Sequence, residues 1–168
     1  MSTQEHRELA KDQVARCAVL TISDTRTKET DKSGKLIRES LEGAGHQVWS
    51  YAIAPDEPAQ IAATLTLWLA EGEYDAIVCT GGTGISSRDT TIEVVDRLLD
   101  KRLEGFGELF RMLSWQEVGP AAMLSRAVAG LSGETLLFAL PGSSNAVALA
   151  MSRLIVPELR HLVWERRR

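Results

Sequence analysis

Short apolar runs alternate along this chain with stretches of helical period, and no other feature limits its fold so tightly. The runs ARCAVLTI (15–22), QVWSYAIA (47–54), AIVCT (76–80) and ETLLFAL (134–140) read as strands. The first is apolar without alternation, as expected of a strand covered on both faces. Between them, SGKLIRESLEGAG follows a Ser33 cap with Leu36, Ile37, Leu41 and Ala44 on one side and ends at Gly43 or Gly45. In PDEPAQIAATLTLWLAEG, Ile61, Leu65, Trp68 and Leu69 share a helical face. TTIEVVDRLLD is a further helix, and PGSSN opens a last one through Val147, Met151, Leu154, Ile155 and Leu159. The segment EGFGELFRMLSWQEVGPAAMLSRAVAG reads as mostly helical, broken at Gly119-Pro120. Such alternation predicts an α/β sandwich with a mainly parallel sheet.

The 168 residues suit one core, with residues 15–168 as a single domain behind a flexible N-terminal segment, residues 1–14. A net charge of −4 supplies no basic footprint for nucleic acid. The final Arg166-Arg167-Arg168 reads as a solvated chain end. Cys17 and Cys79 each lie inside an apolar run, as small core hydrophobes in a reducing compartment. No apolar run is long enough for a membrane span, and the polar opening MSTQEHRELAKDQVA has no signal-peptide core. The expected location is the cytoplasm.

Open α/β sheets bind ligands at the carboxyl ends of their strands. Four segments fall there: SDTRTKETDKSG, APDE, TGGTGISSRD and LPGSSN. The third is the least ordinary. Gly81, Gly82 and Gly84 match neither GxxxxGK[ST] nor GxGxxG. They suit either a turn that needs positive φ or a backbone cradle for an anion at a helix N-terminus. Asp89 follows, and Thr90-Thr91-Ile92-Glu93 fits a capping box that would free Asp89 from that duty. A carboxylate beside bound phosphate needs a cation between them, and Mg²⁺ uses one or two carboxylates plus phosphate oxygens. Asp56, beside Glu57 in the APDE loop, is the second candidate. His6, His46 and His161 neighbour none of these loops in sequence, and no evident base or thiol nucleophile accompanies them. Carboxylates, amides and hydroxyls without a base suit a reaction whose nucleophile is already ionised, such as phosphate attack on a nucleotide phosphorus.

TGGTG with Arg88-Asp89, the D-x-S-G of residues 31–34, RAVAG (126–130) and LPGS (140–143) together resemble the MoaB/MogA family of molybdenum-cofactor biosynthesis, over nearly the whole chain from Ala15. EGFGELFRMLS is closer to the MoaB branch. The resemblance implies a three-layer α/β/α sandwich, assembled as trimers or hexamers, and Mg-ATP-dependent adenylylation of the molybdopterin terminal phosphate with release of pyrophosphate. It assigns catalysis and Mg²⁺ to Asp56 and Asp89, and the nucleotide and phosphates to Gly81, Gly82, Thr83 and Gly84. Ser23, Asp31, Ser33, Ser114, Pro141, Gly142 and Ser143 would line the molybdopterin pocket. Ser33 also suits a helix cap, Ser114 a helix end, and Arg126 either an anion or a structural carboxylate. The chain departs from the family pattern at Ala139, where many relatives carry Asn, and at Ile92, where Pro is usual. A molybdopterin carrier without turnover and a nucleotide-processing relative of CinA type remain alternatives. A metal-insertion protein of the same pathway is a possible partner. Phe106, Leu109, Phe110, Met112, Leu113, Trp115, Met123 and Leu124 supply apolar surface for self-association or for the chain's own core.

Overall fold

The computed structural model describes residues 2–168. Its six strands are β1 (Arg16–Ile22), β2 (Gln47–Ala54), β3 (Ala76–Thr80), β4 (Lys101–Arg102), β5 (Val128–Ser132) and β6 (Thr135–Leu140). They form one sheet in the order β2-β1-β3-β6-β5-β4. The first four in that order run parallel, β5 is antiparallel to β6, and β4 is antiparallel to β5. The helices are α1 (Thr3–Ala10), α2 (Lys32–Gly43), α3 (Pro58–Glu71), α4 (Thr91–Leu98), α5 (Glu104–Val118), α6 (Ser144–Ala150) and α7 (Val156–Arg166).

Alternation along the strands builds two cores. Cys17, Val19, Val78 and Phe138 pack with Ile37 and Leu41 of α2, Phe110 of α5, Val147 of α6 and Leu159 of α7. Ala18, Leu20, Ile77, Cys79 and Ala139 face the other way, against Ile61, Leu65 and Trp68 of α3 and Val94 and Val95 of α4. The result is the expected three-layer sandwich. Burial pushes the thiols of Cys17 and Cys79 up to about 12, as their core positions require. No helix among the described residues is long and apolar enough to cross a membrane.

Several local readings change. Helix α2 is capped by Asp31, whose Oδ1 accepts from the Gly34 amide at 2.9 Å, and not by Ser33. The capping box proposed at Thr90 does not form. Thr90 sits at φ −121°, ψ 0°, outside the extended region a cap needs, and its side chain makes no capping bond. The Thr91 amide donates instead to the Gly82 carbonyl. The end of the long segment read as helical is strand β5, joined to β6 by a two-residue turn in which Gly133 takes φ +56°. The last helix is interrupted by a π-helical stretch, Met151–Ile155. Pro157, two residues beyond, has no amide for an i→i−4 bond, so the wider turn accommodates it.

Both chain ends are more ordered than their composition suggests. Residues 3–10, expected to be flexible, form helix α1, closed by a Ser2/Glu5 capping box and packed on α7. The terminal arginines are not simply solvated. Arg166 and Arg167 both pair with the fully buried Asp75, just before β3.

Candidate functional site

β1 connects through α2 to β2 on one side of it, whereas β2 connects through α3 to β3 on the other. Where the order reverses, loops diverge and leave a crevice at the carboxyl ends of the strands. A cavity of about 210 Å³ lies there, lined by Thr21, Ile22, Ser23, Arg26, Asp31, Lys32, Ser33, Thr80, Gly81, Gly82, Gly142 and Ser144. Arg26 and Lys32 give its rim two exposed cations.

The walls are held by short polar contacts. Thr80 Oγ1 donates to the Pro141 carbonyl and Ser33 Oγ to the Gly142 carbonyl, both at 2.8 Å, pinning the LPGS turn to β3 and α2. Ser143 caps α6, its Oγ accepting from the Ala146 amide at 3.2 Å. Ser23 Oγ accepts the amides of Thr25 and Arg26 and starts the turn that carries Arg26. Asp31, 3% exposed, is engaged inside the protein: its Oδ2 accepts from Thr21 Oγ1 and from the Tyr51 hydroxyl, each at 2.6 Å. It shapes the cavity floor through these bonds. Burial and that carboxylate raise the Tyr51 phenol well above its usual range.

The glycine loop answers to geometry first. Gly81 and Gly82 take φ +98° and +62°. A Cβ at Gly81 would overlap the Ile22 carbonyl, and one at Gly82 would lie 2.5 Å from Thr91 Oγ1 and 2.9 Å from Asp56 Oδ1. Gly82 therefore stands between the cavity and Asp56. On its far side the loop turns its own donors onto Asp89, whose Oδ2 accepts the Ser86 amide at 2.9 Å. The Ser86 hydroxyl, then the amides of Ser86 and Gly84 and the charge of Arg126, outweigh burial and hold Asp89 below the usual carboxylate range.

Asp56 is shifted the opposite way. Burial, then the charges of Asp89 and Asp24, raise its pKa despite the nearby Arg88. Its Oδ1 is buried with no hydrogen-bond partner, as are the hydroxyls of Thr90 and Thr91. A buried carboxylate oxygen without a donor, crowded by other carboxylates, is a position that a cation would satisfy. These residues fit Mg²⁺.

Sequence reasoning missed two residues that organise this rim. Asp24 Oδ1 accepts the Asp56 amide at 2.9 Å, and its Oδ2 accepts from Arg88 at 2.7 Å. Arg88 also reaches the Asp56 carbonyl at 3.3 Å, so three loops are tied together. The only signal for Asp24 was its place just after β1. Arg126, left open between two roles, pairs with Glu93 at 2.7 Å and donates to the Thr83 carbonyl at 3.0 Å, holding the loop from behind. Ser114 stands apart: it is 5% exposed on α5 and lines no part of the cavity. Ala139 lies in the core beneath α4.

The site thus gathers cations for phosphate, a glycine loop open to close approach, and an underliganded carboxylate. A family model described as a probable molybdopterin binding domain matches residues 18–161. Molybdenum cofactor biosynthesis protein B of Halalkalibacterium halodurans is 54% identical over 166 residues, which cover 98% of this chain and 97% of the relative. A crystal structure of a molybdenum cofactor biosynthesis protein B superposes with a TM-score of 0.89 at 51% identity, over 92% of this chain and 97% of that one. The tungsten cofactor synthesizing protein MoaB from Pyrococcus furiosus does so with a TM-score of 0.83 at 38% identity, over 93% and 99%. With the motifs, the sheet order and the crevice all in agreement, the chain belongs to the MoaB/MogA family of molybdenum-cofactor biosynthesis proteins.

Proposed function

We propose that this chain transfers the adenylyl group of Mg-ATP to the terminal phosphate of molybdopterin. A terminal phosphate oxygen of the pterin attacks the α-phosphorus of ATP. A P–O bond forms there as the bond to the α–β bridging oxygen breaks, and pyrophosphate departs with the electron pair. A phosphate monoester has its second pKa near about 6, so the nucleophile is ionised at neutral pH and no protein base is needed. Arg26 and Lys32 draw the phosphates to the crevice, and Gly81 and Gly82 let them approach the backbone. Asp56 and Asp89 would hold Mg²⁺, which would supply neutralisation of the phosphate charge. Ser86 and Gly84 keep Asp89 ionised for that role.

The observation that carries this reading is Asp56 Oδ1, buried and without a partner beside a glycine that no side chain can replace without a clash. A carrier that only held molybdopterin would have no evident use for such an atom. Purified protein with ATP, Mg²⁺ and molybdopterin should release pyrophosphate, and folded Asp89→Ala should not. Binding of molybdopterin without release by the native chain would overturn the enzyme reading and leave the carrier.

We also propose that the active form is a homotrimer or a hexamer built from it. Phe110 and Leu113 of α5 face the core, but Leu109, Met112, Trp115 and Val118 are about half exposed, with Met123 and Leu124 just beyond. An apolar stripe of that extent is unusual on a monomer. Sedimentation of native protein and of Trp115→Glu would test it; a native monomer would refute it.

A further inference from the structure

Helix α1 packs on α7 well away from the crevice, toward the end of the sheet where Arg166 meets Asp75. Between the two helices, His6 faces His161 and Glu165, which are one helical turn apart. Among the described residues, these three offer donor atoms that all lie within 4.8 Å of one another. His6 Nδ1 is 3.4 Å from Glu165 Oε2, and His161 Nε2 is 4.0 Å from the same oxygen. Ligands on a tetrahedral ion with bonds of about 2.0–2.1 Å stand about 3.4 Å apart. The first pair is already at that spacing. The second closes with a small rotation of Glu165, whose side chain is 43% exposed and free to turn.

The surroundings prepare the imidazoles. His161 Nδ1 lies 2.9 Å from Glu158 Oε2, so an Nδ1–H can donate to that carboxylate and a neutral ring then presents Nε2 to the site. A carboxylate behind a histidine is the usual outer support of a metal ligand. The Trp164 ring lies 5.0 Å from that of His6, and the two histidine side chains are only 16% and 18% exposed. The nearby charges are balanced. Arg7 pairs with Glu158, and Arg168 Nη2 lies 3.6 Å from Glu165 Oε1, so two arginines balance two glutamates. Arg168 Nη1 rests 3.4 Å from His6 Nε2, and its side chain, 53% exposed, can turn to solvent when that nitrogen carries the proton.

We infer that His6, His161 and Glu165 form a site for a divalent transition metal of zinc type, with one position left to water. Two imidazoles and one carboxylate favour zinc over magnesium. Because His6 comes from α1 and the other two ligands from α7, an ion here would fasten the N-terminal helix to the C-terminal one. This site is independent of the Mg²⁺ chemistry proposed for Asp56 and Asp89.

The test uses untagged full-length protein stripped with chelator and then freed of it. Titration with Zn²⁺ should give one equivalent bound and a raised Tm, and Co²⁺ should show visible absorption of a four-coordinate ion. His6→Ala and His161→Ala should each weaken Zn²⁺ at least about tenfold, and Glu158→Gln about tenfold. Asp56→Asn with Asp89→Asn should leave this equivalent in place, which separates it from any zinc taken up at the crevice. If His161→Ala fails to fold, His6→Ala decides the matter, since His6 lies on a peripheral helix. Absence of tight Zn²⁺ binding by native protein, or binding indifferent to His6→Ala, would overturn the site.

Discussion

Gly82 and Asp56 stand face to face: a Cβ on the glycine would lie 2.9 Å from the unpartnered Oδ1 of the aspartate. The bare backbone lets the loop pass close over a carboxylate oxygen that no protein donor satisfies. Gly82 also sits at φ +62°, where an L-residue costs about 1–2 kcal/mol. Gly82→Ala should therefore lower stability by more than that amount, because its Cβ would also lie 2.5 Å from Thr91 Oγ1 and force a neighbour to shift. Activity should suffer far more, with pyrophosphate release down at least about 100-fold, comparable to loss of a preorganised charge-stabilising group. Chemical denaturation and turnover measured on the same preparation check both parts; near-native turnover would remove Asp56 from the reaction.

Asp56→Asn should separate stability from function. Burial and neighbouring carboxylates raise this group's folded pKa above its unfolded value, so ionising it destabilises the folded chain. That penalty is present above the raised pKa and vanishes as pH falls below the unfolded one. In metal-free buffer near neutral pH the variant should melt higher than the native protein, and the difference should shrink on acidification. Adding Mg²⁺ and ATP should raise the native Tm and leave the variant unmoved. Thermal melts across pH, with and without Mg-ATP, read all three effects.

How much of this was legible in the sequence depended on where each cause lies. β1, β3 and β6 are buried on both faces, so their apolar runs announced them. β5 was hidden because RAVAG continues a helical period, while its determinant is remote: a Cβ at Gly130 would strike the Lys101 carbonyl. At D-K-S-G both Asp31 and Ser33 can cap a helix, and only the packing of Tyr51 and Thr21 around Asp31 selects it. The four strand-end loops were correctly brought together by topology alone. Asp24, and the role of Arg88 beyond its place in the motif, escaped notice because their meaning is a bond spanning 64 residues. The terminal arginines were misread for the same reason, their partner Asp75 lying 91 residues from Arg166.

Tyr51→Phe tests whether Asp31 acts through position or through contact with substrate. The phenol donates to Asp31 Oδ2 at 2.6 Å, and the Arg38 guanidinium lies 4.2 Å above the ring. The variant keeps the ring and its cation but deprives a buried carboxylate of one of its donors. A hydrogen bond to a charged group is worth about 1.5–3 kcal/mol, and stability should fall by about the lower figure because Tyr51 is only half-buried. If Asp31 merely braces the cavity floor, KM for molybdopterin should rise a few-fold with kcat little changed. A collapse of kcat at unchanged stability would instead put Asp31 on the substrate.

Asp75 and its arginines should govern acid stability. The carboxylate has no exposure, accepts the Arg16 amide at 2.7 Å and Arg167 Nη2 at 2.7 Å, and pairs with Arg166. Burial alone would raise its pKa, but the hydrogen bonds from Arg16 and the charges of Arg166 and Arg16 prevail and depress it. A depressed carboxyl contributes stability that is complete above its unfolded pKa of about 3.9 and is lost as pH falls through the lower folded value. Asp75→Asn near neutral pH leaves Arg166, 6% exposed in its side chain, without a counter-charge, and should cost about 3–5 kcal/mol. Arg166→Ala should cost less, because Arg16 and Arg167 still face the carboxylate. Denaturant titrations near neutral pH and again below the unfolded pKa decide whether charge is the cause. The Asp75→Asn penalty should shrink as pH falls from the unfolded pKa through the lower folded one, where the ionised carboxyl's contribution is lost. A penalty that did not change with pH would assign the effect to packing around residue 75 rather than to its charge.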